Sequence, residues 1–449
     1  MATATVTAPH PTQRVPELPP GPRAGPLLTV RFLLRAPQLL DGCARRYGDM
    51  FTVATTPERV VVITSDPAVI KQVFTGDPNL LYAGEGNQVL APLLGPRSVL
   101  TLDGAEHMRQ RKLMLPSFHG ERMQAYGELM ADVTAREIAT WPRGSAFPVL
   151  PATQAITLQV IMRAVFGIRD DRRREELGRL LRDLMDTPTK YRTLVMLQMT
   201  SSAHPRPRST WGRFRAAVRR VDAVLYDEIR ERRADPGAGD REDVLSLLLQ
   251  ARDEDGEPLT DSELRDELMT LLVAGHETTA TALAWTLERL VRHPAVLARL
   301  RDEVAAGDDE YLDAVIAETL RLRPVVPAVI RRLKADMEFG GRLLPEGAHI
   351  APSIYLTHRR ADLYPEPLDF RPERFLGVKP GTYTWIPFGG GVRRCLGASF
   401  ALYETRVVLR TILEHVVPRE ECRPGERIAR RAITYAPARG GRIGVADAR

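Results

Sequence analysis

The sequence predicts a mainly α fold of the α+β class, in which many helices are accompanied by a few small β-sheets. Apolar residues recur at helical spacing through most of residues 105–320. Strand-like segments rich in β-branched residues are confined to residues 51–64, 336–356 and the tail after residue 432. Hydrophobic residues form 44% of the 449-residue chain and charged residues 27%, so the chain has enough apolar side chains for a large core.

The N-terminal region is predicted to be a flexible arm, because residues 1–26 are rich in proline and lack the apolar centre of a signal peptide. Residues 27–449 are predicted to form a single domain. The segment 51–64 is interpreted as two strands around a turn at Pro57, and residues 433–445 as a final hairpin.

Charge and cysteine usage exclude several classes of protein. The chain has 63 Lys and Arg against 57 Asp and Glu, with both signs mixed along it, so a nucleic-acid partner is not expected. No stretch approaches the ~20 apolar residues of a transmembrane segment. The cysteines, Cys43, Cys395 and Cys422, match no zinc spacing and are too few for a disulfide scaffold. The expected location is therefore the reducing cytoplasm.

The clearest single element is a long helix over about residues 260–293. Thr260 and Glu263 fit a capping box, and Pro294 ends the run. The centre of this helix nevertheless holds a glycine, an acid and two threonines within residues 274–279, which oppose helix propensity. Such a break in a strong helix often marks a functional site; the alternative is a polar patch that faces solvent.

The polar centre of this helix is not a zinc-protease motif. A HExxH motif beginning at His276 would need a second histidine at position 280, which is Ala280. The hydroxyl of Thr278 is instead expected to bond the carbonyl of Ala274, four residues back, and to loosen the helix. No glycine-rich nucleotide-binding motif follows a strand, so nucleotide binding has no support in the sequence.

A second candidate site is the segment FGGGVRRCLG at residues 388–397. Its three glycines permit left-handed backbone and close approach to a flat or bulky group. Cys395 follows two arginines and precedes an amphipathic helical pattern, so helix N–H groups and arginine are expected to favour its thiolate. A thiolate in such a loop suits a soft or borderline metal such as haem iron. The alternative is an inert buried cysteine, which is the interpretation for Cys43 and Cys422.

The segment resembles the haem-binding loop of the cytochrome P450 family, whose pattern is Phe-x-x-Gly-x-Arg-x-Cys-x-Gly. Further family motifs follow one another in the expected order, and the similarity covers nearly the whole chain after residue 27. The loop pattern is matched by Phe388, Gly391, Arg393, Cys395 and Gly397. The other matches are the oxygen-activation groove Ala274-Gly275-x-Glu277-Thr278, the helix pair Glu318-x-x-Arg321, the segment 370–375 with Arg374, and the propionate-binding residues His107, Arg111 and Arg331. Many relatives carry Trp in place of His107, a departure shared with soluble bacterial members.

The resemblance implies a helix-rich haem-thiolate monooxygenase fold with haem b as its cofactor. It makes Cys395 the iron ligand, and Glu277 and Thr278 the catalytic residues that deliver protons to dioxygen. A buried structural triad is implied for Glu318, Arg321 and Arg374. The implied haem-binding residues are His107, Arg111, Ala274, Arg331, Phe388, Arg393, Cys395 and Gly397.

The implied reaction inserts one oxygen atom from O2 into a small apolar substrate, such as a fatty acid, terpenoid, steroid or polyketide. By resemblance, the substrate pocket is lined by the largely aliphatic stretches 81–94, 185–199, 272–274, 325–330 and 433–435. Electrons are expected from a separate ferredoxin and ferredoxin reductase, because the 54 residues that follow Cys395 are too few for a fused reductase. An acidic redox partner is expected to dock on a positive patch that includes Arg109, Lys112 and Arg394. The protein is expected to act as a monomer.

Two alternatives from other functional classes remain open. One is a peroxide-driven or non-redox enzyme of the same fold, and the other is a haem-binding sensor or carrier without turnover. Neither of them needs the acid–alcohol pair Glu277 and Thr278, which is intact here. Activity that depends on NAD(P)H and redox partners, and not on peroxide, distinguishes the monooxygenase from both.

Overall fold

The computed structural model describes residues 16–56, 59–118, 126–168, 171–186, 209–420 and 424–447. Helices dominate these ranges and the strands form small sheets, which confirms the predicted fold class. The helices are α1 (Pro26–Leu34), α2 (Ala36–Tyr47), α3 (Pro67–Thr75), α4 (Ala91–Leu94), α5 (Gly104–Met114), α6 (Gly127–Ile138), α7 (Leu150–Phe166), α8 (Asp171–Asp186), α9 (Thr210–Ala234), α10 (Val244–Gln250), α11 (Asp261–Arg292), α12 (Pro294–Ala305), α13 (Glu310–Leu322), α14 (Ile354–Thr357) and α15 (Ala398–His415). The strands are β1 (Met50–Thr56), β2 (Arg59–Thr64), β3 (Leu81–Tyr82), β4 (Phe147–Pro148), β5 (Arg331–Leu333), β6 (Met337–Phe339), β7 (Arg342–Leu344), β8 (His349–Pro352), β9 (Val416–Arg419), β10 (Ile428–Arg431), β11 (Thr434–Pro437) and β12 (Arg442–Asp447).

The long helix α11 runs through the largest hydrophobic core of the described residues. The predicted capping box is present, because the Thr260 hydroxyl accepts from the N–H of Glu263 while the Glu263 carboxylate accepts from the N–H of Thr260. α11 packs most extensively against α7. At their crossing, a Cβ added to Gly275 would lie 2.6 Å from Cδ1 of Ile161. The glycine in the helix centre therefore permits a close helix–helix contact.

The largest sheet has the strand order β1-β2-β8-β5-β3. β2 and β8 are parallel, and the other neighbours are antiparallel. The two strands predicted within residues 51–64 are present as β1 and β2, while Pro57 lies outside the described residues. β5 begins with Arg331, which this sheet places beside the candidate site described below.

The prediction of a C-terminal hairpin is wrong. β11 pairs with β10, whereas β12 pairs with β9 and β4. Gly440 and Gly441 have φ values of 77° and 66°, and their carbonyls accept hydrogen bonds from the N–H groups of Leu150 and Val149 at the start of α7. This turn carries the chain from the β10–β11 pair to the sheet of β4, β12 and β9, so β11 and β12 do not pair with each other.

Part of the predicted N-terminal arm is bound to the fold. The N–H of Glu17 donates to the carbonyl of Leu343, and the N–H and hydroxyl of Thr52 donate to the carbonyls of Pro20 and Pro19. Residues 1–15 lie outside the described ranges, and the division into an arm and a single domain stays a prediction. None of the helices in the described ranges combines the length and apolarity needed to cross a bilayer.

Candidate active site

The loop that carries Cys395 is a tight turn packed against α3. The N–H of Cys395 donates to the carbonyl of Phe388 over 3.0 Å, and Gly391 has a left-handed φ of 65°. A Cβ on Gly390 would lie 2.1 Å from Cδ2 of Phe74, and a Cβ on Gly391 would lie 2.0 Å from the carbonyl oxygen of Phe74. These two glycines thus permit the close approach of the loop to α3, and their role toward a bound group stays a prediction.

The Cys395 thiol lies just before α15, whose N-cap is Gly397. Burial raises the pKa of this thiol, although the N–H of Gly397 and the cations of Arg394 and Arg111 act in the opposite direction. The side chain keeps some exposed surface, but protein atoms surround it closely, so the effect of burial on its pKa exceeds that of the N–H group and the cations. The N–H and arginine contributions predicted from the sequence are therefore present, but burial outweighs them. A coordinated metal ion would remove the proton outright, as it does for other ligating thiols.

Four basic side chains converge beside this loop. His107 and Arg111 lie one turn apart on α5, Arg331 begins β5, and Arg393 precedes the cysteine. Among the described residues, Asp103 is the one carboxylate that pairs with any of the four, 2.6 Å from Arg393. The site therefore collects more positive charge than its own carboxylate balances.

The pKa values of these groups reflect that imbalance. Burial, followed by the cations of Arg393, Arg111 and Arg331, lowers the pKa of His107 to about 3, so its imidazole is neutral. Burial and the neighbouring cations lower the pKa of Arg331 and of Arg393 to about 10. The guanidinium groups of Arg111, Arg331 and Arg393 carry three positive charges, and the Asp103 carboxylate balances one of them, which leaves a surplus of two. This surplus fits a group with two carboxylates, such as haem with its two propionates.

The centre of α11 has an open face in an otherwise buried helix. Ala274 is exposed, and Val273 and Thr278 are partly exposed, while Thr279 to Val291 are almost all buried. The Thr278 hydroxyl donates to the carbonyl of Ala274 over 2.6 Å, which confirms the predicted bond within the helix. An exposed alanine and a hydroxyl on this helix form a surface that a flat apolar group can cover. Together with the thiol and the surplus of cations, this surface suits a haem.

The Glu277 side chain lies at the interface with α7. Its carboxylate accepts a hydrogen bond from the Gln154 amide over 2.6 Å, and Nε of Arg431 from β10 lies 3.4 Å from the other oxygen. Glu277 is only 7% exposed. The two predicted catalytic side chains, Glu277 and Thr278, therefore have different surroundings although they are consecutive in sequence.

His276 is part of the same helix interface. Its Nδ1 lies 2.9 Å from the hydroxyl of Thr157, which also bonds the His276 carbonyl. Burial, aided by the cations of Arg182 and Arg431, lowers the pKa of His276 to about 4. A neutral imidazole held between two helices is a packing element, consistent with the rejection of a zinc-protease motif.

The structure brings Glu318, Arg321 and Arg374 together. The Arg321 guanidinium donates to both Glu318 carboxylate oxygens, over 2.6 and 2.8 Å, and neither side chain is exposed. Nε of Arg374 lies 3.4 Å from the same carboxylate. Arg321 also donates to the carbonyls of His358, Pro367 and Asp369. The network ties α13 to the segment before the cysteine loop, and the loss of one partner would leave buried charge uncompensated.

Two acidic residues of this region were not found in the sequence analysis. Asp103 occupies the N-cap position of α5 without capping it, because its carboxylate accepts from the N–H groups of Gly84 and Glu85 and from Arg393. Glu404 of α15 is 2% exposed, and burial raises its pKa to about 8 despite a hydrogen bond with Thr279. No local sequence signal reveals either arrangement, since each depends on residues far away in the chain.

The predicted positive patch is only partly present. Arg109 pairs with Asp253 and Glu263, over 2.5 and 3.0 Å, and Lys112 pairs with Glu254 over 2.6 Å. Of the three cations that were expected to attract an acidic partner, Lys112 and Arg394 are exposed, and Arg394 has no carboxylate paired with it among the described residues. A cavity of about 680 Å³ lies on the outer side of α5, with Arg109, Lys112 and Asp253 in its wall, and Cys395 is not part of it.

Comparison with known proteins agrees with this geometry. A family model described as Cytochrome P450 matches residues 16–418. Putative cytochrome P450 135B1 of Mycobacterium tuberculosis is 45% identical over 435 residues, which cover 95% of this chain and 91% of the relative. Putative cytochrome P450 138 of the same species is 40% identical over 451 residues, which cover 99% of both chains.

Solved structures show the same fold. The structure described as retinoic acid bound cyanobacterial CYP120A1 superposes with a TM-score of 0.82 at 25% identity, covering 96% of this chain and all of that one. The haem domain of cytochrome P450DA gives a TM-score of 0.81 at 24% identity and covers 97% of this chain and 98% of that one. With a matching family model over most of its length and relatives at 40 to 45% identity, this chain belongs to the cytochrome P450 family, whose members are monooxygenases that bind haem b through a cysteine thiolate.

Proposed function

We propose that this monooxygenase inserts one oxygen atom from O2 into an apolar organic substrate of the fatty-acid, terpenoid, steroid or polyketide class. The observation that carries the substrate class is the scarcity of charge in the stretches assigned to the pocket. Within the described part of them, the charged residues are Glu85 and Asp186, and Arg332 and Lys334 neutralise Glu85 over 2.8 and 2.9 Å. The stretch 185–199 lies outside the described residues after position 186.

A solved relative supports this substrate class. The structure that superposes with a TM-score of 0.82 is described as bound to retinoic acid, a long apolar molecule with a single carboxylate. In this chain, Val273 and Ala274 present an aliphatic surface on the open face of α11. Such a surface contributes binding energy through apolar burial and offers no charged group that would need a partner.

We propose the following roles for the residues around the haem. Cys395 would ligate the iron, and the cations and the neutral His107 would donate hydrogen bonds to the propionates. Phe388, Gly397 and Ala274 would contact the haem. When bound, a thiolate-ligated haem supplies the chemistry that cleaves the O–O bond. The protein orients the bound groups, excludes water and supplies protons.

Proton supply is proposed to pass from Glu277 to Thr278. The Arg431 side chain is 30% exposed and lies 3.4 Å from the Glu277 carboxylate, so this contact links the buried acid to solvent. Release of Arg431 would free the carboxylate to take up a proton at its Oε1 atom. The Thr278 hydroxyl, which rests on the carbonyl of Ala274, would donate its own O–H proton at the open face of α11 and take the proton from Glu277 in its place.

The electron donors are proposed to be a separate ferredoxin and ferredoxin reductase, and the protein is proposed to work as a monomer in the cytoplasm. Arg394 is exposed next to the cysteine, so an acidic partner that docks there has a short path to the iron. Electrostatic steering by such a cation raises the association rate.

One experiment tests the reaction class and the substrate class together. The haem-loaded enzyme is screened against fatty acids, terpenoids, steroids and polyketides for the spectral shift that accompanies displacement of water from iron. A compound that gives the shift is then incubated with NAD(P)H, ferredoxin and reductase, or with peroxide alone. Oxygenated product that requires NAD(P)H and both partners supports the proposal. Product with peroxide alone favours the peroxide-driven alternative, and binding without any product favours a sensor.

A further inference from the structure

The N-terminal helix α1 turns an apolar face to solvent. Leu27, Val30 and Leu34 are 72%, 49% and 65% exposed, and their spacing of three and four residues places them on one side of the helix. Leu28 is the buried residue of α1. Three large apolar side chains side by side on a helix of nine residues form a patch, whereas single exposed apolar residues are ordinary.

The outward orientation of this face is fixed by the rest of the fold. Leu28 belongs to a buried cluster with Leu39 and Leu40 of α2. Phe32 of α1 packs against the same cluster, and the Arg430 guanidinium of β10 lies 5.0 Å from the centre of its ring. The exposed leucines are therefore presented by a packed helix.

Arginines flank the apolar face, and the stretch of chain that carries it has no acidic residue. Arg23, Arg31 and Arg35 are exposed, and residues 18–40 contain no Asp or Glu. Arg45 and Arg46 in the last turn of α2 are exposed as well. The surface around α1 is thus strongly basic although the whole chain carries a net charge of only +6.

A second apolar tip adjoins this surface. Ile433, the first residue of the stretch 433–435 assigned to the substrate pocket, is 40% exposed in the turn between β10 and β11, where Ala432 has a φ of 50°. The contact between Arg430 and Phe32 joins this turn to α1. The turn therefore presents an apolar side chain next to arginines, as α1 does.

We propose that α1 and the β10–β11 turn dock this protein on an anionic lipid bilayer. Apolar side chains ringed by arginine match the two components of such a surface, since the leucines can enter the acyl boundary while the guanidinium groups contact acidic headgroups. Charge argues against the other occupants. A second copy paired through α1 would bring Arg31 and Arg35 of both copies together. Residues 1–15 of the chain carry Arg14 and no acidic residue, so they do not complement the patch.

The test is co-sedimentation of the full-length, haem-loaded protein with lipid vesicles. Vesicles of phosphatidylcholine and phosphatidylglycerol in equal parts should bind the protein, vesicles of phosphatidylcholine alone should bind it weakly, and high salt should release it. Arg31→Gln with Arg35→Gln should weaken binding roughly 30-fold, because each arginine near an anionic surface contributes about 1 kcal/mol. Leu27→Ser, Val30→Ser and Leu34→Ser combined should abolish binding.

Matched controls separate docking from misfolding. Leu368→Ser with Val378→Ser and Lys379→Glu changes an equally exposed set of residues elsewhere on the surface and should bind like wild type. All variants should keep the wild-type haem spectrum. Equal sedimentation of the serine variant and wild type would overturn the proposal. Binding that emerges only after deletion of residues 2–15 would also overturn it, because the chain's own arm would then be what covers the face. A dimer that dissociates when the three serines are introduced would overturn it as well.

Discussion

The side-chain amide of Gln154 donates to the carboxylate of Glu277 over 2.6 Å and holds this acid at the interface between α7 and α11. The next residue, Thr278, instead bonds the carbonyl of Ala274 on the partly exposed face of the helix. The Glu277 carboxylate is thus buried and hydrogen-bonded, while the Thr278 hydroxyl lies at the open face of the helix. This division of surroundings is compatible with the proposed proton relay, in which Glu277 supplies Thr278 with protons.

Thr278→Ala should separate proton delivery from binding. The variant should retain haem and substrate binding, but it should consume NAD(P)H with more peroxide and roughly a hundredfold less product, since a positioned proton donor accelerates its step by about 10²–10⁴. Product per NAD(P)H is the measured quantity. Thr286→Ala is the matched control, because Thr286 makes the same bond to the carbonyl four residues back, over 2.9 Å. Unchanged coupling in Thr278→Ala would remove Thr278 from the relay.

Glu318→Ala should strongly destabilise the protein. It leaves Arg321 without its carboxylate in a fully buried position, and the loss of one partner of a buried ion pair costs about 3–5 kcal/mol. Chemical denaturation and retention of haem are the measurements. Glu303→Ala removes an i,i+4 pair with Arg299 that is partly exposed, and it should cost no more than about 1 kcal/mol. A similar, small cost for both substitutions would contradict the buried network.

Glu404→Gln should change how stability depends on pH. Burial raises the pKa of Glu404 to about 8 in the folded chain, from 4.5, so folding requires the neutral carboxyl. As pH rises from about 4.5 to 8, the unfolded chain ionises this group while the folded chain keeps it neutral, and wild type loses stability. The variant should gain on wild type by about 1.4 kcal/mol per pH unit over this window. Chemical denaturation at pH 5, 6 and 7 measures the difference, with Glu414→Gln on the exposed side of α15 as the control for charge removal. A difference that does not change with pH would show that Glu404 is ionised in the folded protein.

The sequence predicted those parts of the molecule that local spacing determines. Thr260 and Glu263 sit three residues apart and form their capping box, and the helical spacing of Glu318 and Arg321 brings their side chains into contact. The hairpin predicted for the tail failed because β12 pairs with β9 and β4, which only the folded chain brings near. Likewise, Arg109 pairs with Asp253 and Arg431 with Glu277, and in each pair the two residues come from distant segments of the chain. Burial, which reverses the expected pKa shift of Cys395, has no local sequence signal at all.

Arg394→Glu should slow reduction by an acidic ferredoxin. Arg394 is exposed beside the cysteine, whereas Lys112 already faces Glu254. The wild-type reduction rate should fall as ionic strength rises, because screening sets in over a Debye length of ~8 Å at physiological salt. The variant should be roughly tenfold slower at low salt, with a flatter response. Lys112→Glu should have a smaller effect. Identical salt curves for wild type and Arg394→Glu would place the docking surface elsewhere.

The central claim is that Cys395 is the protein ligand to haem iron, and the spectrum of the reduced protein with carbon monoxide tests it most directly. Wild type should show the strongly red-shifted Soret band of a thiolate-ligated haem. Cys395→Ser should lose that band, whereas Cys43→Ser and Cys422→Ser should keep it. A wild-type spectrum typical of histidine ligation, or a red-shifted band that survives in Cys395→Ser, would contradict the account.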